Sequence, residues 1–171
     1  PGTVGGALAM NAGTHEEVKD IVSEIEVLDR NGRSLRLKRR DINFSYRNSS
    51  LRPYIIVSVV LKLKTEDKAN ARERIKNILI KRLSAQDWQH PSAGSFFMNP
   101  DPAHPAGILI DRCRLKGLRV GGAQVSEKHA NFIINVKDAK SSDVIKLMEI
   151  IKERVYNQFK IKLASEVEVV S

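Results

Sequence analysis

The sequence predicts an α+β fold, strand-rich to about residue 66 and mixed beyond it. Three observations carry this. Ile21, Ser23, Ile25 and Val27 alternate with Glu24 and Glu26, the period of a half-buried strand. Asn31-Gly32 is a tight-hairpin dipeptide, and Leu35 and Leu37 continue on a returning strand. Val144, Leu147, Met148, Ile151 and Val155 recur at helical spacing behind Ser141, a residue type that caps helices.

The remaining elements follow in order. The opening PGTVGGALAMNAGT is too rich in glycine for a regular element throughout. Thr14 with Glu17 reads as a capping box for a short helix ending near Asp20. Asp41 to Pro53 is irregular; Tyr54 to Lys64 is a longer strand with Ile55, Val57, Val59, Leu61 and Leu63 on one face. Thr65 and Asp67 signal a helix with Ala71, Ile75, Ile78 and Leu79 on its apolar face. Ala85 to Pro105, punctuated by Pro91, Pro100, Pro102 and Pro105, reads as a loop of the length that carries function or disorder. A short helix over 106–115, a glycine-containing turn over 117–126, a strand over 131–135, the capped helix and a last strand over 161–170 complete the chain.

Composition narrows the function classes. With 29 Lys and Arg against 20 Asp and Glu the net charge is +9, which suits nucleic acid, a phosphate-rich small molecule or simply a basic solvated surface. Aromatic residues make up 5% and do not interleave with cations, so a nucleic-acid partner is not expected. The longest apolar run, Tyr54 to Leu61, is strand-sized and broken by Ser58, so no membrane span is expected either. One cysteine, Cys113, leaves no internal disulfide and fits the cytoplasm. Opening on Pro1-Gly2-Thr3 without Met, the chain reads as a truncated or processed piece.

Five segments hold candidate chemistry. Gly2, Gly5 and Gly6, followed by Asn11-Ala12-Gly13-Thr14 at a helix start, would let backbone amides approach a phosphate; a tight structural turn explains the same residues. Arg47, between Tyr46 and hydroxyl-bearing residues, has the fork that clamps a carboxylate or phosphate, or is a surface arginine. Ser95, after Ala93-Gly94 and before Phe96-Phe97, lacks the second glycine of a nucleophile elbow and has no histidine at motif distance. A proton-donating hydroxyl fits it better than a hydrolase nucleophile. The stretch Gly117 to Asn131 is polar like a ligand loop, and His129 in it has no second His or Cys at ligand spacing, so no metal is expected. Glu166 lies in the apolar terminal strand, where a solvent-facing position accounts for it and for Glu168.

PGTVGGALAMNAG, NFSYRNSSL, PSAGSFFMNP and LKGLRVGGAQVSEKHANFIIN, in that order, resemble the UDP-N-acetylenolpyruvoylglucosamine reductases, flavoenzymes of peptidoglycan precursor synthesis. The resemblance implies that residues 1–66 form the second lobe of a two-lobed FAD-binding domain. Residues 67–160 would form a small α/β substrate-binding domain, and 161–171 a strand carrying a catalytic glutamate. NADPH would reduce FAD, which passes a hydride to the enolpyruvyl double bond of the UDP-sugar. Arg47 would bind and polarise the substrate carboxylate, Ser95 donate the quenching proton, and Glu166 stabilise the enol. Gly2, Thr3, Val4, Gly5, Gly6, Asn11, Ala12 and Gly13 would contact FAD. Tyr46, Asn99, Gln124 and a cation at Lys81 or Arg82 would contact substrate. The pattern departs at Met98, where a basic residue commonly follows the Phe-Phe pair, and at Ser165-Glu166-Val167-Glu168 in place of Pro-Glu-Val-Arg. It also lacks a glycine near His15. The strand over 54–64 runs almost directly into its helix, which places the chain with the shorter type of the family. Alternatives are a substrate-binding fragment without activity, holding FAD poorly, and a basic nucleic-acid-binding module.

Overall fold

The first regular element arises where the sequence reads as a turn. In the computed structural model, which describes residues 2–13 and 16–170, α1 spans Val4–Ala9. Thr3 Oγ1 accepts a hydrogen bond from the Gly6 amide at 3.0 Å, and Leu8 is fully buried. Cap and docking together offset the two internal glycines, which cost about 1 kcal/mol each. Thr14, read as the next cap, lies outside the described residues, and a single 3₁₀ turn, Val18–Asp20, follows.

The chain divides into two compact units, Pro1–Asp67 and Lys68–Ser171. In the first, β1 (Val22–Leu28) pairs antiparallel with β2 (Ser34–Lys38) across the Asn31-Gly32 turn, where Gly32 takes φ +77°. On its other edge β1 pairs antiparallel with β5 (Ile55–Leu61), giving the order β2-β1-β5. Two register shifts lie in this second ladder, one between Val22 and Glu24 and one between Glu26 and Val27. Each extra residue rotates the side chains beyond it to the other face. Val22 therefore joins Ile25 and Val27 in the core while Ile21 does not. On β5 the inward residues are Ile56 and Val59, and Ile55 and Val57, expected on the core face, are exposed. The irregular stretch holds a small hairpin, β3 (Phe44–Ser45) and β4 (Asn48–Ser49).

The second unit begins with α2 (Lys68–Ala85); of its expected apolar face Ala71 is half-buried, while Ile75, Ile78 and Leu79 are exposed along with the rest of the helix. The proline-punctuated stretch contains β6 (Ser92–Ser95), and α3 (Ala106–Arg112) follows. The glycine-containing turn is a hairpin, β7 (Arg119–Val120) and β8 (Ala123–Val125), bent at Gly121-Gly122. With β9 (Phe132–Asn135) these strands form one sheet ordered β6-β9-β8-β7. Every pairing in it is antiparallel, so this unit, expected as α/β, is itself α+β. For β7–β8 and β8–β9 the cause is short connections, of two and six residues, which cannot hold the helical crossover that a parallel pair needs.

Against the sheet pack Leu109 and Ile110 of α3, and Leu147, Met148, Ile151 and Val155 of α4 (Ser141–Phe159). Asp143, rather than Ser141, caps α4: its carboxylate accepts from the Lys140 amide at 3.0 Å. No strand extends over 161–170. Instead Phe97 and Ser165 form one bridge, flanked by Glu166 N–H to Phe96 O and Met98 N–H to Ala164 O, both 2.9 Å. The pairing stops because Asn99 and Pro100 end the partner segment, and proline has no amide to donate.

Candidate active site

In the first unit, the Tyr46-Arg47 turn joining β3 to β4 puts Arg47 at φ +53°. Glycine or asparagine adopts that region with less strain than arginine does. Arg47 Nη1 donates to Gly13 O at 3.1 Å, and the guanidinium lies 5.4 Å from the Tyr46 ring centroid. A Cβ on Gly13 would collide with Glu16 O, so glycine is required there for the chain to pass.

Asn11 links this hairpin to the glycine segment. It is fully buried, and its Nδ2 donates to Ser45 O at 3.0 Å and to Glu17 Oε2 at 2.9 Å, while Oδ1 accepts from Lys19 N–H at 3.3 Å. Its side chain is therefore committed to tying segments together. Hydrogen bonding from Lys19, then from Asn11, holds the Glu17 carboxyl below its ordinary value against the opposing effect of burial. The structure thus gathers Gly13, Asn11, Tyr46 and Arg47 in one unit. Thr3, Val4, Gly5 and Gly6 form the cap and first turn of α1, where amides at the first helical positions have no intrahelical acceptor.

In the second unit, Ser95 and Asn99 line a pocket of about 370 Å³, with Lys116, Lys128, His129 and Asn131 among its walls. Ser95 is exposed at the end of β6. Asn99 Oδ1 accepts from the Ala106 amide at 2.9 Å and so caps α3 from outside. Asp111 faces Lys116 at 3.3 Å. Glu166 comes to the same strand end through its amide bond to Phe96, the residue after Ser95. Gln124 lies in β8, half-buried, and pairs with Ile134. Lys81 is on exposed α2 and does not line the pocket; neither does Arg82, which stacks 5.8 Å from the Trp88 centroid.

The family-level match for residues 86–170 is described as UDP-N-acetylenolpyruvoylglucosamine reductase, C-terminal domain. Two relatives extend the match to 99% of the chain, both described as UDP-N-acetylenolpyruvoylglucosamine reductase. One, from Moorella thermoacetica, is 48% identical; the other, from Synechococcus sp., is 42% identical. A solved structure of the reductase from Thermus caldophilus matches 96% of the chain with a TM-score of 0.82 at 38% identity. The chain belongs to the UDP-N-acetylenolpyruvoylglucosamine reductase family. It spans 56% and 55% of the two relatives' length and 59% of the solved chain.

Among the described residues of this family member, no group of His, Cys, Asp and Glu could hold a metal ion, and no helix is long and apolar enough to cross a membrane. Sequence reasoning marked the Gly117–Asn131 stretch that supplies Lys128, His129 and Asn131 to the pocket but gave Asn131 no role, and it missed the walls from Pro105 to Lys116. Asn131 is 4% exposed inside an apolar run, and a buried amide in such a run must have partners, which was the available signal. Ser126 and Asp87, far apart in sequence, meet at 3.1 Å. Burial opposes ionisation of Asp87, but hydrogen bonds from His90 and Ser126 outweigh it and hold the carboxyl below its usual range.

His129 is a pocket wall with a pH signature. Its Nδ1 accepts from the Asn131 amide at 3.2 Å, and its ring lies 4.6 Å from Phe132. Burial, and secondarily the nearby Lys116 ammonium, push its pKa below the ordinary value. Between the lowered folded value and an unfolded value near about 6.5, the unfolded chain binds more protons, so stability rises with pH across that window. Urea unfolding on both sides of that window should show the rise, and His129→Gln should remove it; an unchanged slope would clear His129.

Proposed function

We propose that this chain supplies the substrate-handling residues and part of the flavin site of a cytoplasmic enzyme that uses NADPH, through FAD, to reduce UDP-N-acetylglucosamine enolpyruvate to UDP-N-acetylmuramate. The observation that carries the reading is Ser95 at the mouth of a lysine-bearing pocket, with Glu166 tied to the adjoining peptide. Two lysines suit a diphosphate, and the chain's net charge of +9 is of the same sign.

The first turn of α1 fits a flavin nucleotide's phosphate. Gly5 and Gly6 offer no side chain to obstruct it, and Thr3 already satisfies Gly6 N–H, leaving the amides of Val4 and Gly5 at the positive end of the turn. Bound FAD, once reduced by NADPH, would supply the hydride. Arg47 clamps the enolpyruvyl carboxylate, and its fixed positive charge lowers the cost of charge growing there as the double bond is reduced. Ser95 Oγ–H gives its proton to the substrate carbon left electron-rich. The Glu166 carboxyl supports the enol. Gly2, Asn11, Ala12 and Gly13 shape the flavin segment; Tyr46, Asn99 and Gln124 orient substrate, and Lys81, outside the Ser95 pocket, would add a cation from α2.

The test is a NADPH oxidation assay on the full-length FAD-loaded protein. NADPH consumption should depend on the enolpyruvyl UDP-sugar and yield its lactyl ether one for one. Sugar-independent consumption, or none, overturns the reading.

A further inference from the structure

The backbone around Ser95 is held by a device that the pairing of strands alone does not supply. On β6, Ser92 faces Ile134 of β9 and Ser95 faces Phe132, so three steps on one strand match two on the other. The extra residue is accommodated beside Gly94, at φ +82°, and such a bulge re-aims the side chain that follows it. Beyond Ser95, Phe96 N–H donates to Asn131 O at 2.8 Å. Phe97 N–H then donates to Asn131 Oδ1 at 2.9 Å, and Phe97 O accepts from Asn131 Nδ2 at 2.8 Å. The side-chain amide takes the place of a further backbone partner on β9. Asn131 therefore makes three bonds to the two residues after Ser95 and is 4% exposed.

We propose that Asn131 is a positioning residue: by gripping both polar groups of Phe97 it sets the direction of the Ser95 hydroxyl. The inference rests on reading Ser95 as the proton donor. A side-chain amide is required because it carries a donor and an acceptor side by side. Aspartate keeps the acceptor for Phe97 N–H but sets a carboxylate oxygen against Phe97 O, and alanine keeps neither.

The experiment compares Asn131→Ala, Asn131→Asp and Ser95→Ala in the full-length FAD-loaded protein. Each is followed by kcat and KM for the UDP-sugar and by the rate of flavin reduction by NADPH. Asn131→Ala should lower kcat by about tenfold or more through misplacement of the donor. KM should stay within about twofold and flavin reduction should be unchanged, because neither depends on proton delivery. Combined with Ser95→Ala it should cost nothing further. Asn131→Asp, which retains one bond, should show the same split if the alanine variant does not fold. A lowered melting temperature with normal kcat, or an equal fall in flavin reduction, overturns the inference while Ser95→Ala still abolishes turnover. Normal turnover by Ser95→Ala overturns the proton-donor reading and this inference with it.

Discussion

Ser95→Ala in the full-length protein should leave flavin reduction by NADPH near normal while slowing reduction of the enolpyruvyl sugar by about 10²- to 10⁴-fold, the usual contribution of a positioned general acid. The asymmetry follows from where the hydroxyl sits. It is exposed into a pocket of the second unit at the end of β6, so its removal opens no core cavity and breaks no ladder bond. The variant should bind the sugar, accept electrons from NADPH and stall with reduced flavin. Stopped-flow absorbance separates the two half-reactions, and equal turnover by the variant would remove Ser95 from the chemistry.

The second large effect is structural. Gly122→Ala should destabilise the second unit by about 3 kcal/mol, through overpacking against backbone that has nowhere to move. Gly122 is buried in the β7–β8 turn, and a Cβ there would strike Lys137 O and crowd the backbone of Ala139. The same residue accepts from Val136 N–H at 3.0 Å and donates to Asp143 Oδ2 at 3.2 Å, so backing away breaks bonds on both sides. A fall of roughly 10 °C in the melting temperature is the expected reading; a shift of a degree or two would show that the hairpin can relax.

The long periodic elements were legible in the sequence because their side chains carry the signal. The hairpin at Asn31-Gly32 and helix α4 lie where alternation and helical spacing put them. What was not legible arises from backbone geometry. The bulges in the β1–β5 ladder leave no mark on composition, yet they turned Ile55 and Val57 outward. Strand β6, Ser-Ala-Gly-Ser directly after Pro91, was hidden by its small polar composition, and the single bridge at Ser165 is too short to be told from a strand by apolar pattern alone. Ser95 in the second unit and Arg47 in the first were each visible as residue types in unusual surroundings. The walls Asp111 and Lys116 were not, since they meet Ser95 only through the fold, whereas Lys128 and Asn131 lay in the stretch already read as a ligand loop. Arg47's strained backbone had no signature either, because nothing in Ser-Tyr-Arg-Asn announces a left-handed residue at the arginine.

One buried amide has a reach out of proportion to its size. Asn11 bonds to the hairpin through Ser45, to the 3₁₀ turn through Lys19, and to Glu17. The glycine segment and the arginine hairpin are thus joined through one side chain, so opening either breaks a bond to the other. A change that softens one of these segments is therefore passed through Asn11 to the other.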